Sequence, residues 1–326
     1  MAMHKGAESV TERRSPVAVT VDELLDCRRI ARCLQARPKH PVAATQVGAV
    51  RSRQLGRGLD FSELRMYQAG DDIRQIDWNV TARTGKPHTK LFSLERERPH
   101  FVVLDARPGM FFATRGAFKS VVAARLAAVL AWTAVLGNDR VGGLVFGEHG
   151  HREIKPDTGR RGVMPLFRAI VELTDPAQAS AASDAVAPFT DGVRRLSRLV
   201  HTGSQVYFFS DFAGFDTRAK AAFAALMQHN SVTAVHIADV LETALPPPGD
   251  YSVRAAGGGR LRVHTQSRQA RHAYQAQFAD MQTQLAQFFT RGRHRYVSLL
   301  TNGALDDQAA AVLAGRSAAH PERADG

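Results

Sequence analysis

The stretch FVVLDARPG, residues 101–109, decides the architecture. Phe101 to Leu104 form an unbroken apolar run that ends in Asp105. A strand with one solvated face alternates apolar and polar residues, so a continuous run belongs to a strand covered on both faces, as in a parallel sheet. The pattern then repeats along the chain. Residues 117–136 give a long apolar helical pattern closed by Gly137, and Val141 to Phe146, Val206 to Phe209, Val232 to Ile237 and Tyr296 to Leu300 are further apolar strands. Residues 163–173, 217–228, 268–290 and 306–314 read as helices between or after them. This alternation predicts an α/β protein with a doubly wound, mainly parallel sheet. Ligands bind such sheets outside the carboxyl ends of the strands, where Asp105 and Asp211 both fall.

Upstream the character differs. Asp22 is a candidate cap for a helix through LLDCRRIARCLQ, stopped by Pro38, with Leu24, Leu25, Ile30 and Leu34 on its packing face. Between Val47 and His100 the chain is short-patterned and broken by Gly48, Gly56, Gly70 and Gly85, which predicts short strands and turns. The expected divisions are a polar arm and helix over 1–40, a β-rich module over 41–100, the α/β domain over 101–315 and a disordered tail over 316–326. An Ala/Ser-rich surface loop is expected between Pro176 and Pro188.

The chain has 326 residues, 44% of them apolar, enough for a sizeable core. Its net charge of +12 suits an acidic partner, a nucleic acid or an anionic membrane surface. Aromatic residues make up only 7%, and no zinc-finger spacing, RNP-like strand or basic heptad segment is present, so nucleic-acid binding is not expected. Cys27 and Cys33 match neither a metal knuckle nor a disulfide framework. The longest uncharged apolar run, 126–137, is short of the ~20 residues of a membrane span. A soluble cytoplasmic protein without a cofactor is expected.

The densest chemistry lies in GRGLDFSELRMYQAGDDIRQIDWNVTAR, residues 56–83. It gathers Asp71, Asp72 and Asp77 with Arg57, Arg65, Arg74 and Arg83, and adds Tyr67 and Trp78. Arginine and aspartate are rarely buried unless paired, so the run predicts a half-buried ion-pair network of Arg65, Tyr67, Asp71, Asp72, Arg74, Asp77, Trp78 and Arg83, with the indole as core anchor. The rival reading is an acid/base or metal cluster of Asp71, Asp72 and Asp77. Arginines nearby would keep those carboxylates ionised and neutralised, which favours structure or docking over proton transfer.

Tyr67, Gly70, Asp71, Asp72, Arg74, Ile76, Asp77, Trp78, Ala82 and Arg83 resemble the signature of the bacterial domain-of-unknown-function 58 family. Gly56-Arg57-Gly58, Phe61, the ERER at 95–98 and the strand ending in Asp105 extend the likeness. The resemblance implies a von Willebrand factor A type sheet with a metal site at its carboxyl edge. It also implies partnership with a MoxR-type AAA+ ATPase and with other von Willebrand factor A proteins in the maturation of client complexes. Family members often carry membrane segments near the N-terminus, from which this sequence departs.

The implied metal site is degenerate. The pattern needs serines at the second and fourth positions after the first Asp, and here those positions hold Arg107 and Gly109. No Thr appears in residues 159–164, the expected third segment, so only Asp105 and Asp211 survive. No bound metal is expected, because a hard dication needs several oxygen ligands. Arg107 is expected either to ion-pair with Asp105 or Asp211, to offer its fork to a partner's carboxylate, or to stand in solvent.

Other motifs are weaker. Gly56-Arg57-Gly58 and Gly257-Gly258-Gly259 read as turns rather than nucleotide loops, and Ser210 lacks the glycines of a nucleophile elbow. His149 and His151 read as a solvated hairpin over 148–155. The expected function is a non-enzymatic adaptor. A metal-dependent hydrolase using Asp71, Asp72 and Asp77, and a nucleic-acid-binding protein, are the alternatives.

Overall fold

The computed structural model describes residues 15–36, 59–68, 71–94, 98–148, 150–177, 189–254 and 260–317. The residues expected to form the polar arm up to 14, Gly56 to Gly58, Gly70, His149, most of the 176–188 loop, the triple glycine at 257–259 and the tail from 318 lie outside them. The chain divides into two compact units, one of Met1–Lys39 with Arg98–Gly326 and one of His40–Glu97.

The larger unit is built on β3 (His100–Ala106), β4 (Val141–Gly147), β5 (Gly150–Asp157), β6 (Gln205–Ser210), β7 (Ser231–Ala238) and β10 (Arg295–Leu300). Their order is β10-β7-β6-β3-β4-β5. All neighbours pair in parallel except β5, which returns antiparallel to β4 as the hairpin expected there. Winding outward in both directions from β3, this is the expected doubly wound, mainly parallel sheet.

Because Cβ atoms alternate across a strand, the unbroken apolar run of β3 feeds two cores. Val102 and Leu104 pack with α1 (Val21–Asp26), α2 (Arg28–Ala36), α4 (Lys119–Leu136), α5 (Gly159–Leu173) and α10 (Leu305–Ala314). Phe101 and Val103 pack on the other side with α6 (Phe189–Leu199), α7 (Thr217–His229) and α9 (Arg268–Phe289). That second core is aromatic: the rings of Phe208 and Phe223 lie 5.0 Å apart at 72°. Helix α4 has the length and composition to cross a membrane, but 78% of it is buried inside the protein.

Several boundaries differ from expectation. Thr20, not Asp22, caps the first helix, its hydroxyl accepting from Glu23 N–H at 3.2 Å. That helix breaks at Cys27 into α1 and α2. Both pack on α4, where Trp132 Nε1 donates to the Leu24 carbonyl at 3.1 Å. Helix α5 starts at Gly159 rather than 163 despite Pro165 inside it. It runs so close to the sheet that a Cβ on Gly162 would lie 2.3 Å from the Asp157 carbonyl. Helix α6 was not anticipated, since FTDGVRRLSRL carries a mid-helix glycine and few apolar residues.

The smaller unit contains an antiparallel pair, β1 (Leu59–Met66) with β2 (His88–Leu94), and between them a short 3-10 turn, Ile73–Gln75, and α3 (Trp78–Thr84). The strands were expected. The helix was not, because in sequence its residues fit an ion-pair network.

Candidate functional site

The carboxyl edge of the large sheet is where the chemistry collects. Asp105 sits at the end of β3 with no exposed surface. The backbone turns immediately, and Arg107 folds back onto it. Nε donates to Oδ1 at 2.9 Å and to Oδ2 at 3.1 Å, and Nη2 donates to Oδ2 at 2.7 Å. Ser210 Oγ donates to Oδ2 at 2.7 Å, and the Arg107 N–H donates to Oδ1 at 3.0 Å. Both oxygens therefore accept from fixed donors, an arrangement that requires the ionised carboxylate. Burial, helped by neighbouring Asp211, holds the Asp105 carboxyl above its ordinary value, with Arg107 and Ser210 pulling against it. Burial also works against the Arg107 charge, but Asp105 more than compensates and holds the guanidinium above its ordinary value.

The rest of Arg107 is spoken for as well. Nη2 donates to the Ala213 carbonyl at 2.9 Å, and the guanidinium lies 4.8 Å from the ring centre of Phe189. Its side chain is only 11% exposed. Of the expected alternatives, the ion pair with Asp105 is the one the geometry adopts, and Asp211 Oδ1 is farther, at 3.8 Å.

Asp211 follows β6 and meets a second cation that sequence reasoning missed. Lys119, first residue of α4, is fully buried, its Nζ 3.4 Å from Asp211 Oδ2 and 2.6 Å from Glu242 Oε1. Burial works to raise the Asp211 carboxyl, but Lys119, the Ala213 N–H and Arg107 together hold it below the usual range. Glu242 is also half of a capping box on α8 (Val240–Thr243), its Oε2 accepting from the Asp239 N–H at 2.8 Å. Asp239 in turn accepts from Thr114 N–H and Oγ1 and from Thr301 Oγ1. Those hydrogen bonds outweigh burial and keep its carboxyl low.

The family resemblance implies a divalent cation at this edge, and the residues here do not fit one. The Asp105 oxygens are filled by Arg107 and Ser210, and the Asp211 oxygens face Lys119, Arg107 and the Ala213 N–H. Position 109 cannot bring a hydroxyl without rearrangement, because a Cβ there would lie 2.4 Å from Asp211 Oδ2. An octahedral oxygen cage is thus replaced by two internal cations. Ser210 acts within this network rather than as a nucleophile, since its oxygen also accepts from the Phe212 N–H at 2.8 Å.

Beside the edge, His236 on β7 is buried, with Nδ1 2.7 Å from Tyr296 Oη. Burial pushes the imidazole down to about 4 from its usual 6.5. The unfolded chain then binds a proton near 6.5 that the folded chain refuses until about 4. Stability is full above this window and falls as pH drops through it, by on the order of 3 kcal/mol. His236→Gln is expected to flatten that part of the urea-denaturation pH profile. An unchanged slope between pH 7 and 4 in the variant would contradict the assignment.

The signature residues of the smaller unit are brought together only in part. Arg65 pairs with Asp71 at 2.7 Å, and the Gln68 N–H and Arg65 hold that carboxyl below its ordinary value. Asp72 instead caps the 3-10 turn, accepting from Arg74 N–H, and Asp77 caps α3, accepting from Asn79 and Val80 N–H. Short acidic side chains at helix starts satisfy otherwise orphaned donors, which accounts for both. The Tyr67 N–H donates to the Pro87 carbonyl, and Arg83 lies in the last turn of α3. Trp78 is not a core anchor: it is 65% exposed, and Ile73, Met66 and Leu64 of the same unit are exposed too.

Sequence comparison extends this picture. The uncharacterized protein Rv1480 of Mycobacterium tuberculosis (strain ATCC 25618 / H37Rv) and the uncharacterized protein Mb1516 of Mycobacterium bovis are each 31% identical to this chain over 207 residues. The match takes in 64% of this chain and 63% of theirs, so it spans less than two thirds of those relatives. Among solved structures, the conserved hypothetical protein BatB from Bacteroides thetaiotaomicron is 14% identical, with a TM-score of 0.41 over 67% of this chain and 97% of that one. The family described as "Protein of unknown function DUF58" matches residues 63–284, which takes in the Asp71–Arg83 signature and the Asp105–Asp211 edge, and the chain belongs to that family.

Proposed function

We propose that this chain is a non-enzymatic adaptor that works in the cytoplasm with a MoxR-type AAA+ ATPase in the chaperone-like maturation of client complexes. The observation that carries this reading is the charge-satisfied edge. Asp105 and Asp211, where this kind of sheet presents its ligand, are bonded to Arg107, Lys119, Ser210 and a backbone N–H. A carboxylate so engaged holds shape and is poorly placed to move a proton or activate water. Exposed Trp78, Ile73 and Met66 on the signature unit support the same reading, since exposed apolar residues of this size mark interaction surfaces. The burial of α4, the candidate span among the described residues, supports its reading as a core helix.

The hydrolase alternative has less support, because Asp72 and Asp77 serve as caps and Asp71 pairs with Arg65. Nucleic-acid binding rests on the net charge alone. The test mixes the purified chain with a MoxR-type ATPase encoded in the same genome, with and without ATP. A complex is expected, weakened on the order of tenfold or more by combined Trp78→Ser and Ile73→Ser without loss of thermal stability. No complex in either nucleotide condition defeats the proposal. So does turnover of a substrate by the isolated chain that Asp72→Asn or Asp77→Asn abolishes.

A further inference from the structure

The edge just described opens on one side into a groove of about 390 Å³. One wall is a single stripe of α9, with Tyr274, Gln277, Phe278 and Met281 at helical spacing. Facing it are Asp211, His236 and Glu242. The two cations of the network do not reach this opening: Lys119 has no exposed surface and Arg107 is turned onto Asp105. Glu242, by contrast, keeps a third of its side chain exposed. The acids that line this groove are Asp211 and Glu242; both meet Lys119, and Arg107, which Asp211 also faces, is shared with Asp105, so three carboxylates share two cations and one negative charge is in excess within a chain of net charge +12.

His236 also lies at this opening. It is 1% exposed overall and lines the groove, with Nδ1 2.7 Å from Tyr296 Oη. Aromatic and methionine walls around a negative floor suit a cation carried on an apolar stem. A bare metal ion is a poor fit, because among the described residues no three His, Cys, Asp or Glu side chains are grouped to hold one.

The geometry points to a docking groove for a lysine or arginine side chain of a partner protein, its stem against Phe278 and Met281 and its charge toward Glu242 and Asp211. This rests on the adaptor reading and sharpens it: although the whole chain is basic, its docking edge has the polarity that selects a basic residue.

The test uses short labelled peptides that share apolar positions and differ at one central residue, Arg, its neutral isostere citrulline, or Glu. Long-range attraction to a chain of net charge +12 favours the Glu peptide, so preference for Arg reports the groove itself. Fluorescence anisotropy is expected to show the Arg peptide binding at least about tenfold tighter than the other two. Gln277→Arg, on the exposed face of α9, supplies the cation from within and is expected to abolish that preference. Phe278→Ser is expected to weaken all three peptides. Equal affinities, tightest binding of Glu, no measurable binding of any peptide, or a preference that survives Gln277→Arg each overturns the proposal. Because no ATPase is present, failure here leaves the complex test unaffected, and failure of that test leaves the peptide preference readable.

Discussion

Lys119→Met is expected to destabilise the protein by about 3–5 kcal/mol, the usual cost of removing one partner from a buried ion pair. The lysine has no exposed surface and serves both Asp211 and Glu242, so the methionine leaves two carboxylates facing an apolar side chain. Packing is nearly conserved in this swap, which isolates the charge. Adding Glu242→Gln and Asp211→Asn is expected to restore most of the loss, because the remaining groups then carry no uncompensated charge. Chemical denaturation of the single and triple variants checks both statements. A loss below about 1 kcal/mol for Lys119→Met would mean that solvent already screens the pair.

Arg107→Leu is expected to cost a similar amount, about 3–5 kcal/mol, for a related reason with a different signature. It orphans Asp105, which has no exposed surface and would retain only Ser210 and the backbone N–H at residue 107. Without Arg107, the largest pull against burial is gone, and the Asp105 carboxyl, already above its unfolded value, rises further. The folded variant then holds a proton that the unfolded chain releases, so its stability should rise as pH falls and drop as pH rises through the raised value. The Asp105→Asn, Arg107→Leu double variant should lose this pH dependence. If the single variant shows none, Asp105 is not the group left unpaired.

The sheet was legible because strands covered on both faces must be apolar throughout, and Phe101 to Leu104 fills both cores by simple alternation. Asp105 and Asp211 were legible for the same reason: each is the first charge after such a run. Lys119 was not. It opens a helix whose apolar pattern explains every neighbour, and nothing local marks its partner, which lies 92 positions later in the chain. The one signal was its presence at the start of an 18-residue helix that is otherwise charged only at Arg125. Phe189 escaped notice because α6 has too little apolar content to show as a helix. The Asp71–Arg83 run misled in the opposite direction: local composition looked like a network, whereas Asp72 and Asp77 bond to the backbone a few residues on. Short-range capping and long-range pairing call for the same residue types, and composition does not separate them.

The missing Cβ at Gly109 has a bearing on which sequences can be reached from this one. Rebuilding an oxygen cage for a dication requires a hydroxyl where Gly109 stands, another where Arg107 stands, and removal of Lys119. Each step taken alone disturbs the network: the first makes the Asp211 carboxylate shift from a Cβ that would lie 2.4 Å from Oδ2, and the other two strand a buried acid. Exchanging the arginine and lysine for oxygen ligands one replacement at a time therefore crosses less stable intermediates, and the paired arrangement is held in place by its own geometry.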